Sequence, residues 1–252
     1  MKNHTLNQIT PIVQELLEIQ NTLNTKYLGA EWTKKAVERN VVDYRAAIVD
    51  EAAELLRSDM SWKFWTKEVA APNLKNERIE FVDILHFLMS DSIAFRGIQH
   101  SASQISEAYM YAHSSIFGAD SDLGDTPFRF NDSVPRDITK ARNELYYFLA
   151  ASNRDYFIDA WFHFARLGFY LGISFGATVA FYRGKAVLNS FRIDNGYKNN
   201  TYIKEWAPGM EDNDMLTKFI EDYQKTTDGP PPSREHILQY LTDTYSRVKA
   251  TL

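Results

Sequence analysis

The chain has 252 residues, a net charge of −5, 44% hydrophobic residues and no cysteine. That size accommodates one large domain with a substantial core. The missing thiols exclude disulfides, thiolate nucleophiles and cysteine-zinc sites, and the acidic balance excludes generic nucleic-acid binding, which rests on a Lys/Arg stripe.

The first twenty residues, "MKNHTLNQITPIVQELLEIQ", lack a continuous apolar stretch and a small-residue cleavage site, so no signal peptide is expected. Residues 11–26 read as a helix with Ile12, Leu16, Ile19 and Leu23 along one stripe and Pro11 in its first turn. Its polar face sets Gln20 and Asn24 four apart, with Asn21 beside them and Trp32 downstream. Side-chain amides of this kind either read the edge of a nucleobase or lie on a solvated face.

Residues 43–58 and 76–96 predict two further helices, joined through "APNLKN" with Asn76 as a cap, and Gly97 ends the second. Each carries a pair of acids three apart: Glu51 and Glu54 on the first, Glu80 and Asp83 on the second. Residues at that spacing share a helix face. Antiparallel packing of the two helices would bring four carboxylates together, raising their pKa values unless a cation intervenes. Oxygen-only ligands favour magnesium or manganese over zinc or copper. The plainer alternative is two acidic pairs on solvated faces. A di-iron bundle would need two Glu-x-x-His pairs. Only Asp83 and His86 give an acid-x-x-His pair, so His86 is expected to pack within the fold. Trp62 and Trp65, in "SWKFW" after the first acidic pair, offer either a stacking surface or core.

Helices are then expected over 102–117, 136–151 and 154–191, with a Gly/Pro/Asp-rich loop over 118–137. The last is either very long or broken near Gly168, Gly172 or Gly176. "LGFYLGISFGATVAFY" (167–182) comes nearest to a membrane span, but it is short and flanked by Arg166 and Arg183, which fits a buried core helix. Tyr182, Lys185, Asn189 and Arg192 follow at i, i+3, i+7 and i+10, one face bearing a phenol, an ammonium, an amide and a guanidinium. Such a face suits phosphate oxygens, or alternatively complements the dipole at a helix C-terminus. Asn195-Gly196 turns the chain ahead of Tyr197, Lys198, Tyr202 and Lys204. "DGPPPS" (228–233) sets off a final short helix, dividing a main domain of 1–225 from a tail of 226–252. Alternating strand patterns are nearly absent, so the fold class is all-α.

Taken in order, these motifs resemble the all-α nucleoside triphosphate pyrophosphohydrolases related to MazG, and within them the dimeric dUTPases. The resemblance is carried by "LLEIQNTLN", the paired acids, "SWKFW", "RIEFVDILHF", "YRGKAVLNSFRIDNGYKNNTYIKEW" and "GMEDN", over residues 12–98 and 165–220. It implies a MazG-like helical bundle with its active site between helices, a helical insertion over about 99–160, and a homodimer. It implies magnesium-dependent hydrolysis of dUTP, and usually dUDP, to dUMP, with manganese as a possible substitute. Glu51, Glu54, Glu80 and Asp83 would be the metal ligands. Lys185, Arg192, Tyr197 and Lys204 would hold phosphate, while Gln20, Asn24, Trp65 and Asn189 would surround the base and sugar. In catalysis, Glu51 or Glu54 would deprotonate or orient water, and Lys185 and Arg192 would stabilise developing charge. The expected partner is a small nucleotide, without nucleic acid or membrane, in the cytoplasm (a host's, if the chain is of phage origin). Other readings are a dCTP or broader NTP pyrophosphohydrolase, and a helical nucleotide-binding regulator without turnover.

Overall fold

A computed structural model describes residues 2–38, 42–118, 136–153, 156–226 and 231–250. Among these, ten α-helices form the fold: α1 (Lys2–Leu28), α2 (Trp32–Glu38), α3 (Tyr44–Ser58), α4 (Leu74–Arg96), α5 (Ile98–Phe117), α6 (Ile138–Asn153), α7 (Phe157–Tyr170), α8 (Phe175–Asp194), α9 (Asp212–Thr226) and α10 (Arg234–Ala250). One small antiparallel ribbon, β1 (Glu205–Ala207) and β2 (Met210–Glu211), precedes α9. The expected all-α class holds. Most of the 118–137 loop lies outside the described residues, as does part of the "DGPPPS" stretch.

Several boundaries differ from the periodicity reading, each for a local reason. Helix α1 runs straight through Pro11 instead of starting there. Pro11 is exposed, so the carbonyl it leaves without an amide partner faces water. The cap of α4 is Asn73, whose side chain accepts from the Asn76 amide at 3.1 Å; Asn76 sits inside the helix and donates to the Ser58 hydroxyl. The 154–191 stretch breaks at Leu171–Ser174, around Gly172, and Ser174 caps α8 by accepting from the Ala177 amide. Helices α2 and α9 were not anticipated, and the terminal α10 extends over 17 residues.

The core is continuous. α3 lies along α4, α6 along α7, and α1 is covered by α4, α5 and α8. Phe81 of α4 stacks on Phe164 of α7 with centroids 4.5 Å apart, and Trp161 is fully buried with its indole N–H donating to Ser92 Oγ. Gly168 permits the close approach of α7 to α4: a Cβ there would lie 2.7 Å from the Phe81 ring. No single helix among the described residues is long and apolar enough to cross a membrane; α7 and α8 pass that test only as a pair bent by 100°. α10 buries Ile237, Leu241 and Tyr245, and it packs on α8.

Candidate active site

Helix α3 carries its acids on the face turned to α4. Its start is fixed by Asp43, whose carboxylate accepts from the Arg45 and Ala46 amides, and Ile48, Ala52 and Leu55 bury the stripe beside Glu51. On α4, Phe81, Ile84, Leu85 and Leu88 face the core. This packing presses Glu51, Glu54 and Glu80 together: one oxygen from each lies within 4.8 Å of the others.

Three carboxylates at that separation cannot all ionise cheaply. Burial, then the charge of Asp83, the hydrogen bond to Glu80 and the charges of Glu80 and Glu54 push Glu51 up to about 8. Glu80 is raised as well, by burial first, with the hydrogen bond from Glu51 and the charge of Lys185 opposing the rise and the charges of Asp83 and Glu54 adding to it. An oxygen-only trio in which Glu51 and Glu80 resist ionisation for want of a counter-charge fits a hard divalent cation, which would favour the ionised form of both.

Asp83 stands apart from the trio. Its Oδ2 lies 2.8 Å from Lys185 Nζ, which also donates to Asn213 Oδ1 at 2.9 Å. Lys185 is nearly buried on the face of α8 that meets α4 and α9. Two turns on, Arg192 is held bidentately by the wholly buried Asp212, at 2.7 and 2.6 Å, and also donates to Asn189 Oδ1 at 3.4 Å. The Tyr202 hydroxyl donates to the same Asp212 carboxylate. Asn195-Gly196 turns the chain as expected, with Gly196 left-handed at φ 94°, and Tyr197 then places its ring 5.9 Å from the Arg192 guanidinium. Lys204 lies farther out, paired with Glu211 at the surface.

The amide face of α1 is not solvated. Gln20 and Asn24 are buried and linked: Gln20 Nε2 donates to Asn24 Oδ1, and Asn24 Nδ2 donates to Ser90 Oγ. Gln20 Oε1 accepts from the Tyr182 hydroxyl at 2.7 Å and lies 2.6 Å from His86 Nδ1. With its acceptor already serving a phenol, Gln20 fixes His86 as the tautomer protonated at Nδ1. His86 is a packing histidine, as expected, stacked on Tyr182. Trp65 is 62% exposed and rests on Trp62 and Phe64 in the 59–73 loop.

Sequence reasoning did not single out Asp212 and Asn213, the partners of Arg192 and Lys185. Their signal was the "GMEDN" stretch, in which an acid and an amide open a helix that had not been anticipated.

A largely helical chain with carboxylates gathered between two helices, beside a third that presents lysine and arginine, is suited to opening a phosphate anhydride with a divalent metal. A family model described as dUTPase matches residues 12–197, and the chain belongs to that family. It is thus a hydrolase acting on the pyrophosphate linkage of dUTP. No curated protein matches the chain.

Proposed function

We propose that the protein is a magnesium-dependent dUTP diphosphatase that converts dUTP, and also dUDP, to dUMP. The observation that carries this reading is the trio Glu51, Glu54 and Glu80, converging within 4.8 Å and facing a cationic helix. Together with Asp83 these residues would hold the metal, which when bound neutralises phosphate charge and lets an acidic protein accept an acidic substrate.

The chain's own groups do the rest. Glu51 or Glu54 orients a water and takes its proton as the water oxygen attacks phosphorus. The bridging P–O bond breaks, giving dUMP and pyrophosphate from dUTP, or dUMP and phosphate from dUDP. Lys185 and Arg192, with Tyr197 and Lys204 nearer the surface, stabilise charge on the phosphate oxygens. Asp212 keeps the guanidinium oriented while leaving Arg192 Nη1 directed at Asn189.

Gln20, Asn24, Trp65 and Asn189 form the base and sugar side. The amide pair favours uracil by donor count. Among the described residues, Gln20 Oε1 is occupied, while Gln20 Nε2 and Asn24 Nδ2 each carry one N–H beyond those engaged. Spare donors suit the carbonyl oxygens of uracil and clash with the amino group that cytosine presents instead. A panel of deoxynucleoside di- and triphosphates, assayed for phosphate and pyrophosphate release with and without Mg²⁺, tests the proposal. Turnover of dUTP and dUDP alone, and only with the ion, is expected. Preference for dCTP would refute the donor count, and tight dUTP binding without product would refute turnover.

A further inference from the structure

The central segment supplies a side chain to the rim of the site. Arg136 stands just ahead of α6 and bonds two acids whose side chains are each only 4% exposed. Its Nη2 lies 2.6 Å from Asp59 Oδ2 and 2.7 Å from Glu77 Oε2, and its Nε lies 3.2 Å from Glu77 Oε1. Asp59 ends α3, and Glu77 lies in the first turn of α4. One guanidinium therefore spans both feet of the 59–73 loop.

Other contacts tighten the same junction. The Asn73 amide donates to the Ser58 carbonyl at 2.8 Å, closing the loop on itself. Arg142 of α6 donates to Ser61 Oγ at 3.0 Å. The Asp137 amide donates to the Tyr170 carbonyl, so the backbone beside Arg136 is pinned to the end of α7.

What the loop presents is aromatic. Trp62 is anchored through its indole N–H to the Leu56 carbonyl at 3.1 Å, and the Trp65 ring lies 5.6 Å from Trp62 and 5.1 Å from Phe64. Phe64 is 90% exposed. These rings lean on one another, so their direction is set where the loop joins the helices. A planar guanidinium can bond two carboxylates at fixed angles, which an ammonium on a flexible stem cannot.

We propose that Arg136 is a positioning residue for dUTP hydrolysis: by clamping Asp59 and Glu77 it fixes the feet of the loop and so holds Trp65 where the base is received. This rests on the reading of Trp65 as a wall of the base site. The central segment then takes part in substrate binding without touching substrate.

A double-mutant cycle on the full chain tests it. Steady-state constants for dUTP are measured at saturating Mg²⁺ for Arg136→Ala, Arg136→Lys, Trp65→Ala and the Arg136→Ala/Trp65→Ala pair, at a temperature where circular dichroism shows each folded. Arg136→Ala is expected to raise KM about tenfold with kcat within about twofold, Arg136→Lys to recover part of the loss, and the arginine change to add little once Trp65 is gone. Trypsin should also cut faster at Lys63 and Lys67 of the loop in Arg136→Ala. A wild-type KM in folded Arg136→Ala, with Trp65→Ala impaired, would overturn the positioning role alone. So would an equal rise in KM in both backgrounds. A Trp65→Ala enzyme of normal KM would overturn the base-wall reading, and the positioning role with it. Should Arg136→Ala fail to fold, Arg142→Ala removes the Ser61 bond together with a bond to the Ile138 carbonyl inside α6, and leaves the Arg136 clamp in place. A KM raised about threefold is expected there, and an unchanged KM overturns the proposal.

Discussion

At the scale of single residues, the site is defined by charges kept out of balance. Glu51 sits near 8 because burial and its acidic neighbours oppose ionisation. A carboxyl group raised in the folded state binds a proton on folding, so its contribution to stability is complete below the ordinary value of 4.5 and is lost as pH rises through about 8. Metal-free protein should therefore lose stability between pH 5 and about 8 in urea titrations, and Mg²⁺ should restore more at pH 8 than at pH 6. Glu80→Gln should abolish metal-dependent turnover while leaving the circular dichroism spectrum unchanged. Retained wild-type rates would remove Glu80 from the ligand set. His86 has the opposite sign: burial holds it down to about 4, neutral against Tyr182 and Gln20, with Asp83 pulling it up and Lys185 pushing it down. Its contribution is complete above 6.5 and lost as pH falls through about 4. That acid limb, worth up to about 3 kcal/mol, should be flatter in His86→Phe when unfolding is compared at pH 7 and 4.5.

At the scale of elements, the acid-bearing helices were legible because the three-residue spacing of the acids and the 3.6-residue apolar period agree on one face. The break in the 154–191 stretch was legible as one of three glycines, and packing chose among them: Gly168 is committed to the Phe81 contact and Gly176 lies inside α8, leaving Gly172 for the corner. Gly168→Leu should overpack that contact and cost about 1–3 kcal/mol, measured as a lowered melting temperature. The amide network was half legible. Gln20 and Asn24 share a face at four-residue spacing, but their partners His86, Ser90 and Tyr182 come from distant segments, and no local pattern announces them. Arg136 was invisible for the same reason, since its acids lie 77 and 59 residues away. The C-terminal helix has a similar long-range role: the Tyr245 hydroxyl accepts from the Ile203 amide, and its ring stacks on Tyr202, which bonds Asp212. Tyr245→Phe should loosen that chain and raise KM for dUTP a few-fold, with the fold intact by circular dichroism.

At the scale of the whole molecule, the family match ends at residue 197, while Asp212, Asn213 and Tyr245 all lie beyond it. The partners that orient Arg192 and Lys185 thus belong to the part of the chain that folds back over α8. A clipped chain ending near 225 should keep its carboxylate trio yet lose much of its affinity for dUTP, measured by calorimetry in parallel with metal binding. Loss of both together would show that α10 supports the entire fold and not the phosphate side alone.

The contact of Lys185 with Asp83 has a thermodynamic consequence under the proposed assignment. Were Asp83 to join the trio in holding a divalent ion, it would give up its bond to Lys185, and the ammonium, still held by Asn213, would become available to the nucleotide. The two ligands then assist one another through a single shared ion pair, and reciprocity requires equal enhancement in either order of addition. A non-hydrolysable dUTP analogue should tighten magnesium by the same factor by which magnesium tightens the analogue, and replacing Lys185 with methionine should bring that factor close to one.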